Sequence, residues 1–126
     1  MAIYESLYFK NIGEKPEEEL IRWANEQVSE IRRIKSLKDK KLNDGLFWIE
    51  LLSSIEKRCI RWELVVKENL SDKDREMNAK YALSVARGLG AMIFVVWEDI
   101  TEVKSKLLLT FLASLYDVAQ TREKKN

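Results

Sequence analysis

Hydrophobic residues recur with a helical period along most of this chain. The most apolar stretch is residues 44–56, where Asp44 and Gly45 are followed by ten residues of which seven are apolar. A helix that is apolar around most of its circumference is normally buried at the centre of an all-α domain. We therefore expect a buried central helix here, with Asn43 or Asp44 as its N-cap.

A first long helix is predicted to begin at Pro16, because proline suits the first helical position. Acidic residues lie in its first turn and basic residues in its predicted last turn, an arrangement that complements the helix dipole. The pattern predicts one continuous helix up to about residue 35, followed by a polar connection over residues 35–41. The inward positions of this helix are predicted to be Leu20, Trp23, Ala24, Gln27, Val28, Ile31 and Ile34.

Two further long helices follow. Ser71 is a predicted N-cap, Asp74 three residues later imitates a capping box, and Gly90 suits a left-handed C-terminal cap. The final helix is predicted over residues 105–120, with residues 121–126 as a charged flexible tail. The buried face of the third helix is predicted as Asn78, Ala82, Val85, Ala86 and Leu89, flanked by Met77 and Tyr81; that of the final helix is Leu108, Phe111, Leu112, Leu115 and Ala119.

The remaining segments are short. Residues 91–97 are rich in β-branched side chains and alone resemble a strand, but no second strand is available to pair with them. We therefore expect an extended buried connector or a short helix there. Residues 98–103 and 63–69 each predict about one helical turn, and residues 1–14 are predicted to be a linker or the tail of a preceding helix.

The composition narrows the class of protein. The chain has 126 residues, 46% of them hydrophobic and 34% charged, which describes one globular domain. One proline and four glycines favour long helices over turns. These features predict an all-α domain over residues 15–120, built from four long helices and short connecting helical turns.

The charge balance and the single cysteine limit partners and location. Lys and Arg number 22 against 21 Asp and Glu, so the net charge of +1 gives no case for nucleic acid. No apolar run has the length of a membrane span. Cys59 cannot form an intramolecular disulfide, and it lies in an apolar stretch, which favours a buried small side chain over a reactive thiol. These observations predict a cytoplasmic protein.

The side chains offer little chemistry. The chain has no histidine, which removes the usual general base and the commonest zinc ligand. The neighbours Glu98 and Asp99 diverge by about 100° on a helix, so they do not face one substrate. Asp72, Asp74 and Glu76 lack the central glycine and the later glutamate of a calcium loop. We predict a non-enzymatic protein without a cofactor or a metal site.

A cluster of cations spans the predicted end of the first helix and the loop after it. Two interpretations remain open at this point: a solvated helix end and loop, or a surface for an acidic partner such as a filament or anionic lipid headgroups. The cluster consists of Arg32, Arg33, Lys35, Lys38, Lys40 and Lys41, with Asp39 as the single acidic residue among them.

Four blocks in this order resemble the calponin-homology family. These blocks are residues 20–25, 44–55, 78–90 and 98–100. Three segments are also similar in sequence to the fourth, C-terminal domain of fimbrins, which are also called plastins: residues 36–40, 84–87 and 98–103. The residues that carry the resemblance as a structural signature are Trp23, Asp44, Gly45, Leu46, Asn78, Asp99 and Ile100.

The resemblance implies a calponin-homology fold and a non-enzymatic actin-binding and bundling module. Such a domain binds F-actin weakly alone and normally supports a tandem calponin-homology domain, in association with the cytoskeleton. The exposed side of the first helix, at Arg22, Glu26 and Arg33, is then the expected actin contact, with the cation cluster behind it. The alternative is a scaffold or signalling module that binds another protein or anionic lipid.

Two positions depart from the fimbrin pattern. Fimbrins usually have proline where this chain has Lys57 and Trp97. A proline at either place would fix φ near a helix start and reduce the entropy of the unfolded chain. Trp97 adds a large apolar surface instead, and both packing into the core and an exposed patch remain open for it.

Overall fold

A computed structural model describes residues 16–125, with side chains described up to residue 123. Its α-helices are α1 (Glu17–Gln27), α2 (Leu46–Ile55), α3 (Asp72–Gly88), α4 (Trp97–Thr101) and α5 (Ser105–Lys125). Single 3₁₀ turns lie at Glu30–Arg32, Lys40–Asp44, Lys57–Cys59 and Trp62–Leu64. No strand occurs in the described part of the chain, so the all-α prediction is confirmed. The predicted linker over residues 1–14 lies outside the described residues.

Helix α2 is the centre of the core, as its apolar pattern predicted. Six of its residues are buried, and it packs against α1, α3 and α5. The Trp48 ring is fully buried, with its centroid 5.0 Å from that of Phe47 and 4.7 Å from that of Phe111 on α5. Burial of several large side chains on one helix is the main favourable term that holds the other helices around it.

The first helix is shorter than predicted. It ends at Gln27, and Val28 is extended with φ −104° and ψ 162°. Val28 and Ile34 are buried as expected, but Ile31 is 70% exposed, so the prediction of one continuous helix was wrong. The basic residues after position 31 therefore lie beyond the helix and not in its last turn.

Side chains distant in the chain cause this early helix end. The Ser29 N–H donates to Oε1 of Glu50 on α2 at 2.8 Å. The Asn25 side chain pairs with the backbone of Ile34, and the two hydrogen bonds measure 2.8 and 3.0 Å. Such bonds satisfy backbone groups outside a helix and so compete with helix continuation. The periodicity of the sequence cannot reveal partners that lie 21 positions away.

The connection after residue 35 is less polar than predicted. Leu37 and Leu42 are buried, and they anchor the segment to the core. Asp39 caps the following 3₁₀ turn by accepting a 2.9 Å hydrogen bond from the Lys41 N–H. The exposed lysines of this segment are therefore carried on a backbone fixed by buried leucines.

Helix α3 begins and ends as predicted. The Asp74 N–H donates to Oγ of Ser71 at 3.1 Å, and the Ser71 N–H donates to Oδ2 of Asp74 at 3.0 Å, which confirms the capping box. Gly90 has φ +95°, its N–H donates to the carbonyl of Arg87, and the Ala91 N–H donates to that of Ala86. This is a Schellman C-terminus.

The buried face of α3 is rotated slightly from the prediction. Asn78, Ala82 and Ala86 are buried as expected, while Val85 and Leu89 are only half-buried. Ala79 and Leu83 are buried instead, and Met77 is 50% exposed. Asn78 and Ala79 approach Gly45 at the start of α2, and this contact turns the Ala79 side of α3 toward the core.

The C-terminal half contains an irregular connector and a last helix that is longer than predicted. Residues 91–96 form neither a helix nor a strand, and only Val95 among them is fully buried, while Met92 and Val96 are exposed, so the predicted connector is buried in part. Helix α5 continues to residue 125, so residues 121–125 are helical and not a tail. Within it Ala119 is half-buried, and Arg122 pairs with Glu56 at 2.8 Å, which joins α5 to the end of α2. Between α2 and α3, residues 63–69 contain only the end of one 3₁₀ turn.

This contact of Glu56 predicts a pH-dependent part of the stability. The Arg58 N–H donates to the Glu56 carboxylate at 3.1 Å, and this bond, with the charges of Arg58 and Arg122, lowers the pKa of Glu56. A lowered folded-state pKa gives stability that is present above the ordinary glutamate value of about 4.3 and is lost as pH falls through the folded value. The free energy of unfolding of Glu56→Gln should therefore differ from the parent most near neutral pH.

Urea unfolding between pH 7 and pH 3 measures this difference. The gap between parent and Glu56→Gln is expected to close as the pH falls below about 4. Glu68→Gln, at an exposed position outside the helices, is the control and should show no such convergence. A gap that stays constant over the whole range would contradict the prediction.

Candidate interaction surface

The described residues offer no constellation for catalysis or metal binding. No group of three or more His, Cys, Asp or Glu residues among them is arranged to hold a metal ion. Nearby hydrogen bonds lower the pKa of Glu63 and of Glu76, which keeps these carboxyls ionised and unsuited to donate protons. Burial raises the pKa of the half-buried Cys59 thiol, which disfavours the reactive thiolate. No described helix is long and apolar enough to cross a membrane.

A cationic surface instead lies on the exposed side of α1. Arg22 and Glu26 are exposed one turn apart on this helix, and the loop after α1 brings Arg33 and Lys35 against them. The four side chains line one shallow depression, which we call the α1 basic surface. The structure thus brings together candidate residues from two segments that are separate in the sequence.

Lys41 joins this surface from the next segment. Its Nζ donates to the carbonyl oxygen of Arg33 at 3.3 Å, and Nε of Arg33 donates to the carbonyl oxygen of Asn25 at 3.0 Å. Lys38 and Lys40 are exposed on either side of Asp39 in the same segment. They extend the cationic region along the chain without a hydrogen bond or ion pair to α1 among the described contacts.

Arg32 is not part of the α1 basic surface. Its Nε lies 3.4 Å from Oε2 of Glu50, and its Nη1 lies 3.9 Å from Oδ2 of Asp44. The side chain is half-buried and lines a different groove, beside Trp62 and Ile31. Its charge is therefore already compensated inside the domain.

The cations of the α1 basic surface are largely uncompensated. In the part of the chain that the structure describes, no carboxylate forms an ion pair with Arg22, Lys35, Lys38 or Lys40. Two acidic residues, Glu18 and Glu26, line the same depression, which leaves its three cations Arg22, Arg33 and Lys35 in excess by one. Such an excess of positive charge favours an acidic partner, and it acts mainly through the rate and salt dependence of association.

The signature residues have structural roles, beginning with the junction between α2 and α3. Gly45 stands at the N-cap position of α2 with φ +77°. The prediction of Asn43 or Asp44 as the N-cap residue was therefore wrong. Asp44 still accepts from the Leu46 N–H at 3.0 Å, which serves the helix start from one residue earlier. Asn78 is 1% exposed and donates to the carbonyl oxygen of Asp44 at 3.1 Å, which ties this start to α3.

The other signature residues fix α1, α4 and α5. Trp23 on α1 packs edge-to-face on Tyr116 of α5, with ring centroids 5.1 Å apart. Asp99 is buried and accepts from the Val96 N–H at 2.9 Å, which caps the start of α4. Ile100 beside it is fully buried. None of the signature residues lines the α1 basic surface.

The two positions where fimbrins usually have proline both begin a helical turn. Lys57 is exposed at the start of one 3₁₀ turn, and Trp97 starts α4. The structure places Trp97 between the two open interpretations, packing into the core and an exposed patch. Its half-buried side chain packs against the core and also lines a surface depression with Thr101. Nζ of Lys80 lies 5.5 Å from the ring centroid.

Sequence reasoning gave no role to Asn25, yet this residue holds the loop of the α1 basic surface. Its side chain makes both hydrogen bonds to Ile34, and its carbonyl receives Arg33. The one available signal is the type of residue, since an asparagine in the last turn of a helix competes for backbone groups. That signal does not identify which distant backbone it binds.

The fold and this surface define an all-α binding domain, in which a packed helical scaffold presents a cationic face. The sequence matches the family model of the calponin homology (CH) domain over residues 14–121. The chain therefore belongs to the calponin homology family.

Fimbrins and plastins are among its relatives. Fimbrin-3 of Arabidopsis thaliana is 44% identical over 119 residues, which cover 91% of this chain and 16% of that protein. Human Plastin-1 is 40% identical over 107 residues, which cover 82% of this chain and 17% of that protein. The chain thus spans about a sixth of the length of these curated relatives.

A solved structure confirms the fold. It is the actin-crosslinking core of Schizosaccharomyces pombe fimbrin, which superimposes with a TM-score of 0.78 at 29% identity. The match covers 89% of this chain and 24% of that one. This chain is therefore similar to one portion of a larger crosslinking core.

Proposed function

We propose that this chain is a non-enzymatic F-actin-binding module that acts within a longer, fimbrin-like cross-linker and binds actin weakly alone. The observation that carries the proposal is the α1 basic surface, a depression whose three cations outnumber its two carboxylates and form no ion pair among the described residues, as suits an acidic filament. Its setting in a calponin homology domain with fimbrin and plastin relatives supports actin as that filament. At the level of the family, these relatives favour binding over catalysis.

The proposal extends to the place of the chain in a larger protein. A share of 24% of a crosslinking core is what one of four similar domains would cover. This coverage, together with the sequence similarity to fimbrin C-terminal domains, supports a fourth-domain position for residues 15–120. Residues 1–14 then serve as the linker from a tandem calponin-homology domain. A cytoplasmic location at the cytoskeleton follows from such a role.

Neutralising the α1 basic surface should weaken F-actin binding. The variants Arg22→Gln/Arg33→Gln and Lys35→Gln/Lys41→Gln each remove two exposed cations without touching the core. At about 0.5–1 kcal/mol per exposed charge, each pair should lower the affinity roughly five- to thirtyfold and flatten its salt dependence. Co-sedimentation of the whole 126-residue chain with F-actin at two salt concentrations measures both effects.

Lys57→Gln/Arg58→Gln is the matched control, since both side chains are exposed beyond the other end of α2 and the variant also loses two positive charges. It should bind F-actin as the parent does. Arg32→Gln addresses the candidate cation whose charge is paired with Glu50 inside the domain, and it should change stability more than affinity. Equal affinity of the parent and both double variants would refute the assignment of the surface.

A scaffold or signalling role, with another protein or anionic lipid as the partner, is the alternative. Vesicles that contain phosphatidylserine, used in a sedimentation assay beside F-actin, separate the two. Binding to vesicles with no actin-dependent sedimentation would favour the alternative over the actin proposal.

A further inference from the structure

The last turn of α1 carries one side chain that closes the following loop onto the helix. Nδ2 of Asn25 donates to the carbonyl oxygen of Ile34 at 2.8 Å, and the Ile34 N–H donates to Oδ1 of Asn25 at 3.0 Å. The primary amide thus satisfies both backbone groups of one residue, as a neighbouring strand would. Two such bonds fix the orientation of the loop at this point as well as its position.

Ile34 stands between the two cations that the loop contributes to the α1 basic surface. Its own side chain is 3% exposed and packs into the core, while Arg33 and Lys35 on either side of it are exposed. The carbonyl of Asn25 also accepts from Nε of Arg33 at 3.0 Å, so the same residue directs that guanidinium back over α1.

The other contacts of the loop do not replace this one. At its beginning, the Ser29 N–H is held by Glu50, and Arg32 turns toward the same carboxylate and away from the surface. Beyond it, Lys41 reaches the carbonyl of Arg33 through a single exposed hydrogen bond of 3.3 Å. Asn25 is therefore the side chain of α1 that sets where the loop cations stand relative to Arg22.

We propose that Asn25 is a positioning residue of the α1 basic surface, which holds Arg33 and Lys35 in place for an acidic partner. Preorganised side chains lose less conformational entropy on binding, so the two hydrogen bonds between Asn25 and Ile34 raise affinity although Asn25 does not contact the partner. The inference rests on the proposed function, because the partner in the test is F-actin.

The test combines Asn25→Ala with neutralised loop cations in the whole chain. In the parent background, Asn25→Ala should lower F-actin affinity roughly three- to tenfold, because the loop cations must be ordered on binding. In the Arg33→Gln/Lys35→Gln background, the same substitution should cause no further loss, since the cations that it positions are gone. An equal loss in both backgrounds would show a merely structural role and overturn the proposal.

Amide hydrogen exchange of the protein alone supplies an independent readout. Exchange of the Ile34 amide should become faster in Asn25→Ala while the amides of α2 keep their protection. Asn43→Ala, an asparagine on a different depression, is the control and should leave the Ile34 amide unchanged. Unchanged exchange at Ile34 in Asn25→Ala would overturn the proposal. If the parent chain does not sediment with F-actin, the proposed function falls on that result alone, and the Ile34 amide still decides whether Asn25 holds the loop.

Discussion

Gly45→Ala should lower the free energy of unfolding by about 2–5 kcal/mol, from a backbone strain of about 1–2 kcal/mol and overpacking of about 1–3 kcal/mol. Gly45 has φ +77°, which L-residues with a Cβ rarely adopt. A Cβ at this position would also lie 3.1 Å from the backbone nitrogen of Ala79 and 3.2 Å from Cβ of Asn78. Because these atoms belong to α3, relief requires a shift of a whole helix.

Two other glycines separate the two causes. Gly90 has φ +95° but open space around a Cβ, so Gly90→Ala should show the strain alone. Gly88 lies within α3 with neither constraint, and Gly88→Ala should be neutral or stabilising by up to about 1 kcal/mol. Urea unfolding of the three variants measures the order, and a Gly45→Ala loss no larger than that of Gly90→Ala would contradict the steric part.

Asn78→Ala should cost about 3 kcal/mol or more, since it leaves three part-buried backbone groups without their partner at about 1–3 kcal/mol each. Nδ2 of Asn78 donates to the carbonyl oxygens of Asp44 and Val66 at 3.1 and 2.9 Å, and the Val66 N–H donates to Oδ1 at 3.2 Å. The side chain thereby joins α3 to both the start of α2 and the connection before α3. Urea unfolding with the fitted slope measures the loss.

The isosteric change Asn78→Asp tests whether hydrogen bonding or packing carries this effect. The introduced carboxyl keeps the acceptor for the Val66 N–H and loses both donors to carbonyl oxygens. Burial raises its pKa in the folded state, so its stability relative to the parent should fall as pH rises through that pKa. Asn43→Ala, which lies on an open depression, is the control and should cost less than about 0.5 kcal/mol. A pH-independent loss in Asn78→Asp would contradict the hydrogen-bonding account.

Much of the fold was predictable because burial and helical periodicity are local properties. The apolar run around Trp48 identified the central helix, and the pair Ser71 and Asp74 identified the start of α3 from adjacent chemistry alone. Gly90 likewise marked its own helix end, since its left-handed conformation is a property of one residue. Where the partner lies within four positions, the sequence specifies the structure.

The errors arose where tertiary contacts outweigh local preference. Ile31 has the right spacing for α1 but is 70% exposed, because Asn25 and Glu50 bind the backbone of the next segment. Residues 121–125 looked like a tail, yet Arg122 meets Glu56 from 66 positions away. Neither partner is visible in a local pattern.

The same division applies to the candidate site. The sequence by itself determined which cations are available and that they follow the first helix, because composition and burial are properties of short segments. Only the tertiary structure decided that Arg33 and Lys35 line one depression with Arg22, while Arg32 turns inward to Glu50. The physical reason is that the loop conformation depends on hydrogen bonds to α1 and α2. These bonds can form only after the two helices have packed together.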